Sequence, residues 1–288
     1  MDVILTAVVQ GIGFCALGFG IFMSLRIFNI PDITTDGSYT LGGVITAVTL
    51  TSGMNPILAM LLAMCGGMIA GAITGLIHTR LKINALLAGI LVMTALYSIN
   101  LMIMGRSNLP LIGITGLPGL LPIKNLFLST MVSYSIFILL LLMSLTWLLR
   151  TDFGIAMRAT GNSDTMAKSM GINTNRMKII GLALANGFTA LSGFLLTQYQ
   201  GFADINMGIG IVISGLGSVM IGETLMRLLK NRTIFIQLLS VIAGCIVFRL
   251  ILAFALSAGL DPNYLRLITA IIVLIIVAGG NYKTLTRS

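Results

Sequence analysis

Long apolar runs alternate with short polar breaks along this chain. Apolar stretches lie at about 3–25, 38–53, 56–78, 83–105, 129–149, 178–200, 208–222, 233–255 and 264–280. Several exceed the ~18 apolar residues that a transmembrane helix needs. They predict an all-α, polytopic membrane protein of about nine spans. Two of the nine are short or broken. In PDITTDGSYTLGGVITAVTL, Pro31, Asp32, Asp36 and Gly37 forbid a continuous helix, and clean apolar sequence starts only at Leu41. In ADINMGIGIVISGLGSVMIGE, Gly208, Gly210, Gly215, Gly217 and Gly222 dilute the helix. Each segment follows a long span and begins near an Asp-Ile pair, Asp32-Ile33 and Asp204-Ile205. Paired interrupted segments in two halves, about 1–125 and 176–288, suggest an inverted repeat with a pathway at its interface. Either segment can span the bilayer fully or re-enter it.

The longest polar break, Arg150 to Lys178, reads RTDFGIAMRATGNSDTMAKSMGINTNRMK. Asn162, Ser163 and Asp164 are good helix N-caps, and Gly171 is a good stop. Between them Met166, Ala167 and Met170 line one face of about two turns. Such a short amphipathic helix, displayed on one side of a bilayer, either docks a partner or is a solvated loop whose charges only set topology. In the docking reading Arg158 and Lys168 pair with acidic groups of the partner, and the chain continues rigidly into the next span.

Composition sharpens the class. Of 288 residues, 57% are hydrophobic and 9% charged, against about 25% charged in soluble chains. The net charge of +9 does not indicate nucleic acid, because most basic residues sit between spans. With the 150–178 segment cytoplasmic, Arg26, Arg80, Lys82, Arg150, Arg158, Lys168, Arg176, Lys178, Arg227, Lys230, Arg232, Lys283 and Arg287 are inside. Only Arg106, Lys124 and Arg266 are outside. That bias places the N-terminus outside and the C-terminus in the cytoplasm. Cys15, Cys65 and Cys245 fall inside apolar runs without metal-ligand spacing and read as small packing residues.

Polar residues at membrane depth are the candidates for a pathway. Asp36, Ser38, Tyr39 and Thr40 sit where a half-helix would start, and its free N–H groups would favour a carboxylate. Asp36 either meets an amino group or caps the helix. Thr94, Tyr97 and Asn100 recur every three residues in the fourth span, where they line a cavity or pack through interhelical hydrogen bonds. Arg249 lies inside an apolar run and reads as a structural lock or a snorkelling base ahead of a substrate contact, with Asp204 and Asp261 at suitable depth and Glu223 a poor partner. His78 and Trp147 read as interface anchors. Ala63, Gly67, Gly71 and Gly75 form a small-xxx-small ridge suited to internal helix packing or to a homodimer seam.

A resemblance joins these pieces. RATGNSDTMAKSMGINTNRMKIIGLALANGFTALSGFLL is similar to the cytoplasmic coupling segment and following helix of ABC importer permeases of the branched-chain amino acid and ribose-type group. IPDITTDGSYTLGG, NALLAGILVMTALYSINLMIMG, GLGSVMIGETL and VFRLILAFALSAGLDPNYLRLITAIIVLI agree in matching order. The subgroup it most resembles is linked to tryptophan or tyrosine uptake. The resemblance implies one transmembrane permease domain over 1–288, with 150–178 as the coupling segment, in a bacterial inner membrane. It implies a second permease subunit, read as another copy, two cytoplasmic ATPase subunits and an extracytoplasmic solute-binding protein. The coupling residues would be Arg158, Ser163, Asp164, Met166, Ala167, Lys168, Met170 and Gly171. No GxxxxGK[ST] loop occurs, so no cofactor is expected on this chain, and ATP and Mg are expected on the partner ATPase. A transporter working without ATP would also suit paired broken helices. HExxH and GxSxG do not occur, so a membrane enzyme has no motif to rest on.

Overall fold

A computed structural model describes residues 2–114, 116–123, 125–226, 233–259, 261 and 264–285. Lys124, Arg227, Lys230, Arg232 and Arg287, which entered the charge count, lie outside the described residues.

Every predicted span becomes a helix. These are α1 (Asp2–Ile21), α2 (Thr34–Thr51), α3 (Pro56–Arg80), α4 (Ala85–Met104), α5 (Leu126–Arg150), α8 (Thr174–Gln200), α9 (Ile211–Met226), α10 (Ile234–Ser257) and α11 (Leu265–Leu285). Two further helices, α6 (Asp152–Asn162) and α7 (Asp164–Ser169), occupy the polar break. Among the described residues, six helices are long and apolar enough to cross a membrane. Their starts follow local chemistry. The side chains of Asn55, Asn84, Asn125 and Asn173 each accept a backbone N–H of the first turn of α3, α4, α5 and α8.

α1 does not stop at Ile21 but continues as a π-helical turn (Phe22–Ile27), after which the chain runs non-helically to Thr34. Pro31 and Asp32 thus stand outside the helices as expected, but Asp36 and Gly37 lie within α2 and do not break it. The start of α2 is earlier than expected, at Thr34 rather than 38. Thr34, Thr35 and Asp36 are buried inside protein, so hydropathy did not mark them as helical.

The core gathers around α8, in which every residue from Gly181 to Thr197 except Leu184 is buried, and around α1, buried from Gly11 to Ser24. Close approach is set by small residues. A Cβ at Gly67 would lie 2.5 Å from the Asn186 carbonyl, and one at Gly75 2.7 Å from the Ile179 Cα. A Cβ at Gly71 would overlap the Leu182 carbonyl. The ridge on α3 therefore packs internally against α8. α3, α4 and α5 leave apolar faces uncovered, with Ile69, Met102 and Leu140 exposed. At one end, two three-residue strands, β1 (Asn108–Pro110) and β2 (Phe202–Asp204), pair antiparallel and tie the ends of α4 and α8 together.

Candidate functional site

The two broken segments meet. Gly210 and Val212 donate their backbone N–H groups to the two carboxylate oxygens of Asp36, at 2.8 and 2.9 Å. The N-terminal turn of α9 is thus held by an anion from α2. From that point the helices diverge. α2 runs parallel to α8, with Gly42 against Ala190 and Gly43 against Thr197, whereas α9 runs antiparallel to α10. The Asp-Ile pairs play matching parts. Asp32 accepts the N–H of Thr34 (2.9 Å), and Asp204 accepts that of Asn206 (2.8 Å).

Asp32 also anchors a polar node. Asn186 of α8 donates its side-chain N–H to Asp32 (2.6 Å), and Ser38 donates its hydroxyl to the Asn186 oxygen (2.7 Å). The hydroxyls of Thr34 and Thr74 lie 2.8 Å apart. The sequence marked Asp32 as a helix breaker and as part of an Asp-Ile pair, not as a hydrogen-bonding centre, and Asn186 was missed. A lone Asn in an apolar span was the available signal.

These bonds change the roles expected for the pathway candidates. The first amide of α2 is taken by Asp32, so no free N-terminus stands at Ser38. Asp36 caps α9 rather than its own helix. Ser38 belongs to the Asn186 node, Tyr39 is buried, and the Thr40 hydroxyl bonds back to the Asp36 carbonyl (3.1 Å). Thr94, Tyr97 and Asn100 do not share a face. Three-residue steps turn a helix by about 60° each. Thr94 and Tyr97 end up exposed, while Asn100 is buried and donates to the Gly37 carbonyl (3.4 Å).

The polar break folds as α6 and α7. Ser163 is extended and its hydroxyl accepts the Met166 N–H (3.3 Å), while Gly171 ends the unit at φ +82°. The expected apolar face is divided. Met166 and Met170 are 63% and 70% exposed, but Ala167 is 1% exposed. Ala167 is turned into the protein, where its small side chain permits close seating. Lys168 pairs within the chain, with Asp164 at 2.6 Å, and Lys178 of α8 binds the other Asp164 oxygen at 3.0 Å. α7 is thereby clamped to the start of α8. Arg158 on α6 is half-buried, and its Nε has no hydrogen-bond partner.

The Lys168 hydrogen bond, reinforced by Lys178 and opposed by partial burial, holds the Asp164 carboxyl down at about 2. A depressed folded-state value contributes stability above the unfolded value of about 3.9, lost as pH falls through about 2. Because the pair is partly exposed, Asp164→Asn is expected to cost under about 1 kcal/mol. Thermal unfolding of the variant and the parent should differ by the same small amount from pH 5 to pH 8. A difference that grows across that range would contradict the assignment.

Arg249 on α10 stacks its guanidinium 4.2 Å from the ring centre of Phe14 on α1. Its Nε is buried without a hydrogen-bond partner. Asp204 is not its partner, being held by Asn108 (3.3 Å) and Asn206. Glu223 pairs instead with Arg26 (3.2 Å), as its depth suggested. His78 bonds the Ile83 carbonyl (2.8 Å) across the α3–α4 turn, and Trp147 is exposed.

A polar clasp between two interrupted helices, in a bundle with uncovered apolar faces, marks a polytopic helical membrane protein. A family model described as "Branched-chain amino acid transport system / permease component" matches residues 3–278, and the chain belongs to that family. It is 39% identical over 284 residues to a tyrosine transport system permease protein of Clostridioides difficile, covering 98% of this chain and 92% of that one. It is 33% identical to an uncharacterized protein of Rickettsia prowazekii, covering 96% of each chain. An autoinducer 2 import system permease protein of Yersinia pseudotuberculosis is 28% identical over 72% of this chain and 57% of its own. No solved structure matches the chain significantly. The protein is a multi-pass membrane permease component of an ABC-type transport system, and a permease role is not an enzymatic one.

Proposed function

We propose that this permease imports amino acids, aromatic ones included, by alternating access driven by a separate ATPase. The observation that carries the substrate class is the near full-length similarity to the tyrosine transport system permease. In this reading two copies of the chain form the membrane unit in a bacterial inner membrane, with N-termini outside and C-termini in the cytoplasm. A pair of ATPase subunits carries ATP and Mg, and an extracytoplasmic binding protein delivers the solute. Uptake by the reconstituted complex of labelled tyrosine, tryptophan, leucine and ribose tests the substrate. Tyrosine or tryptophan uptake is expected. Ribose uptake without any amino acid would overturn the reading. The mass of the intact detergent-solubilised complex tests the pairing, for which two copies of this chain are expected.

The coupling contact in this reading is α7. Its exposed Met166 and Met170 offer an apolar surface, and the Asp164 clamp to Lys178 makes α7 and α8 move together. Closure of the ATPase pair would push α7, and α8 would carry the push to Asn186 and Asp32. Replacing Met166 and Met170 by Asp puts two charges on that surface without touching the clamp. Uptake is expected to fall at least tenfold, the loss of about 1.4 kcal/mol of coupling, while the permease folds normally. ATPase retention and uptake both at parental levels would remove α7 from the coupling role.

A further inference from the structure

We infer that a cavity between α1, α9, α10 and α11 is a binding site for a carboxylate-bearing amphiphile, with Arg249 as its anion receptor. The inference deepens the amino-acid reading and rests on it. The cavity has a volume of about 800 Å³, within the range of small-molecule sites. Two arginines line it, Arg249 and Arg266, and no acidic residue is among the described lining. The potential inside therefore favours an anion and opposes a cation.

The state of Arg249 is the second observation. A guanidinium inside an apolar run is costly unless compensated. Phe14 supplies a face for it, which fixes its plane but accepts no hydrogen bond. Among the described residues no ion pair to Arg249 is present, and its Nε lacks a partner. That Nε is closed off from the cavity, so a carboxylate would meet the terminal nitrogens of the held guanidinium, whose planar fork suits it.

The rest of the lining matches the other parts of an amino acid. Gln10 offers an oxygen for an ammonium group, Ser214 lines the same space, and Ala7, Leu252 and Leu256 offer an apolar wall for a side chain. Gly210 also lines the cavity, and its N–H is the one held by Asp36. An occupant would thus rest against the clasp that joins the two broken helices. Of the residues singled out in the sequence as functional, only Arg249 lines this space. Asp36 holds the start of α9 beside it, and the others lie in the packing around α2, on the surface of α4 or in the polar break.

The test uses the permease assembled with its ATPase and binding protein in phosphatidylcholine vesicles. Ser214→Cys is introduced in a Cys65→Ala background, because Cys15 and Cys245 are buried. Labelling by a small thiol reagent is followed with L-tyrosine, with tyramine, which lacks the carboxylate, and with no addition. Tyrosine at ten times its Kd is expected to slow labelling about tenfold, and tyramine to have little effect. In parallel, Arg249→Met is expected to raise the KM for tyrosine at least tenfold, with Arg249→Lys in between, since a charge-assisted bond is lost. Equal protection by tyrosine and tyramine, or protection by neither, overturns the site even if Arg249→Met fails to fold. Protection that appears in phosphatidylglycerol vesicles without tyrosine assigns the anion to a lipid phosphate and also overturns it. Amino-acid uptake without protection of Ser214→Cys sinks this inference alone. Ribose uptake without amino-acid uptake sinks the reading beneath it.

Discussion

Gly71→Ala is expected to lower the stability of the folded permease strongly, although it adds one methyl group to an apolar helix. That methyl would overlap the main-chain carbonyl of Leu182, with the Asn186 Cβ at 2.8 Å behind it. A flexible side chain can swing aside, but a carbonyl inside α8 moves only if the helix moves. α3 and α8 would have to separate along their shared seam, opening the Asn186–Asp32 node beside it. Overpacking usually costs about 1–3 kcal/mol, and a clash with backbone belongs at or above the upper end. Gly42→Ala, whose methyl would overlap the Ala190 carbonyl, is expected to behave alike. Ile69→Val, on the exposed side of α3, is expected to stay within about 0.5 kcal/mol. Thermal unfolding in detergent and the yield of monodisperse protein would measure all three. A parental Tm for Gly71→Ala would show that the helices are not seated this closely.

Asp36→Ala is expected to lower stability by about 3–6 kcal/mol, the sum of two hydrogen bonds to a charged group at about 1.5–3 kcal/mol each. Gly210 and Val212 would lose their acceptor in a partly buried place, so the loss belongs toward the lower end of that range. The loss falls on one joint, so its effect on transport exceeds its effect on helix content. α9 would no longer be tied to α2, and uptake should drop more than tenfold even where circular dichroism stays near parental. Asp36→Asn keeps one carbonyl oxygen and should fall between parent and alanine variant. Unchanged uptake in Asp36→Ala would show that the clasp is incidental to the transport cycle.

The membrane class, the helix inventory and the short helix α7 were legible in the residues because each is a local property. A run of some twenty apolar residues demands a helix wherever it sits, since lipid offers its amides no partner. Ser163 and Gly171 mark the limits of α7 through bonds and angles made within a few residues. Pro31 and Asp32 break the chain where they stand. Faces were harder to read. A helix that is hydrophobic all round gives no moment to tell its buried side from its lipid side, so Ala167, Tyr97 and Asn100 were grouped by spacing that the packing then divided.

Only the tertiary structure decided the partners of the buried polar groups. Asp36 meets Gly210 across 174 positions, and Asn186 meets Asp32 across 154. Polar atoms in an apolar interior must find some partner, and the sequence states that need at each position without naming who satisfies it. The cavity beside Arg249 is assembled from four helices for the same reason: a volume enclosed by distant segments has no local pattern in the chain. The residues alone determined that this protein crosses a membrane, interrupts two helices and forms a short helix in its longest polar break. How those broken helices clasp one another, and where an unpaired arginine stands beside them, depended on which segments the packing brought together.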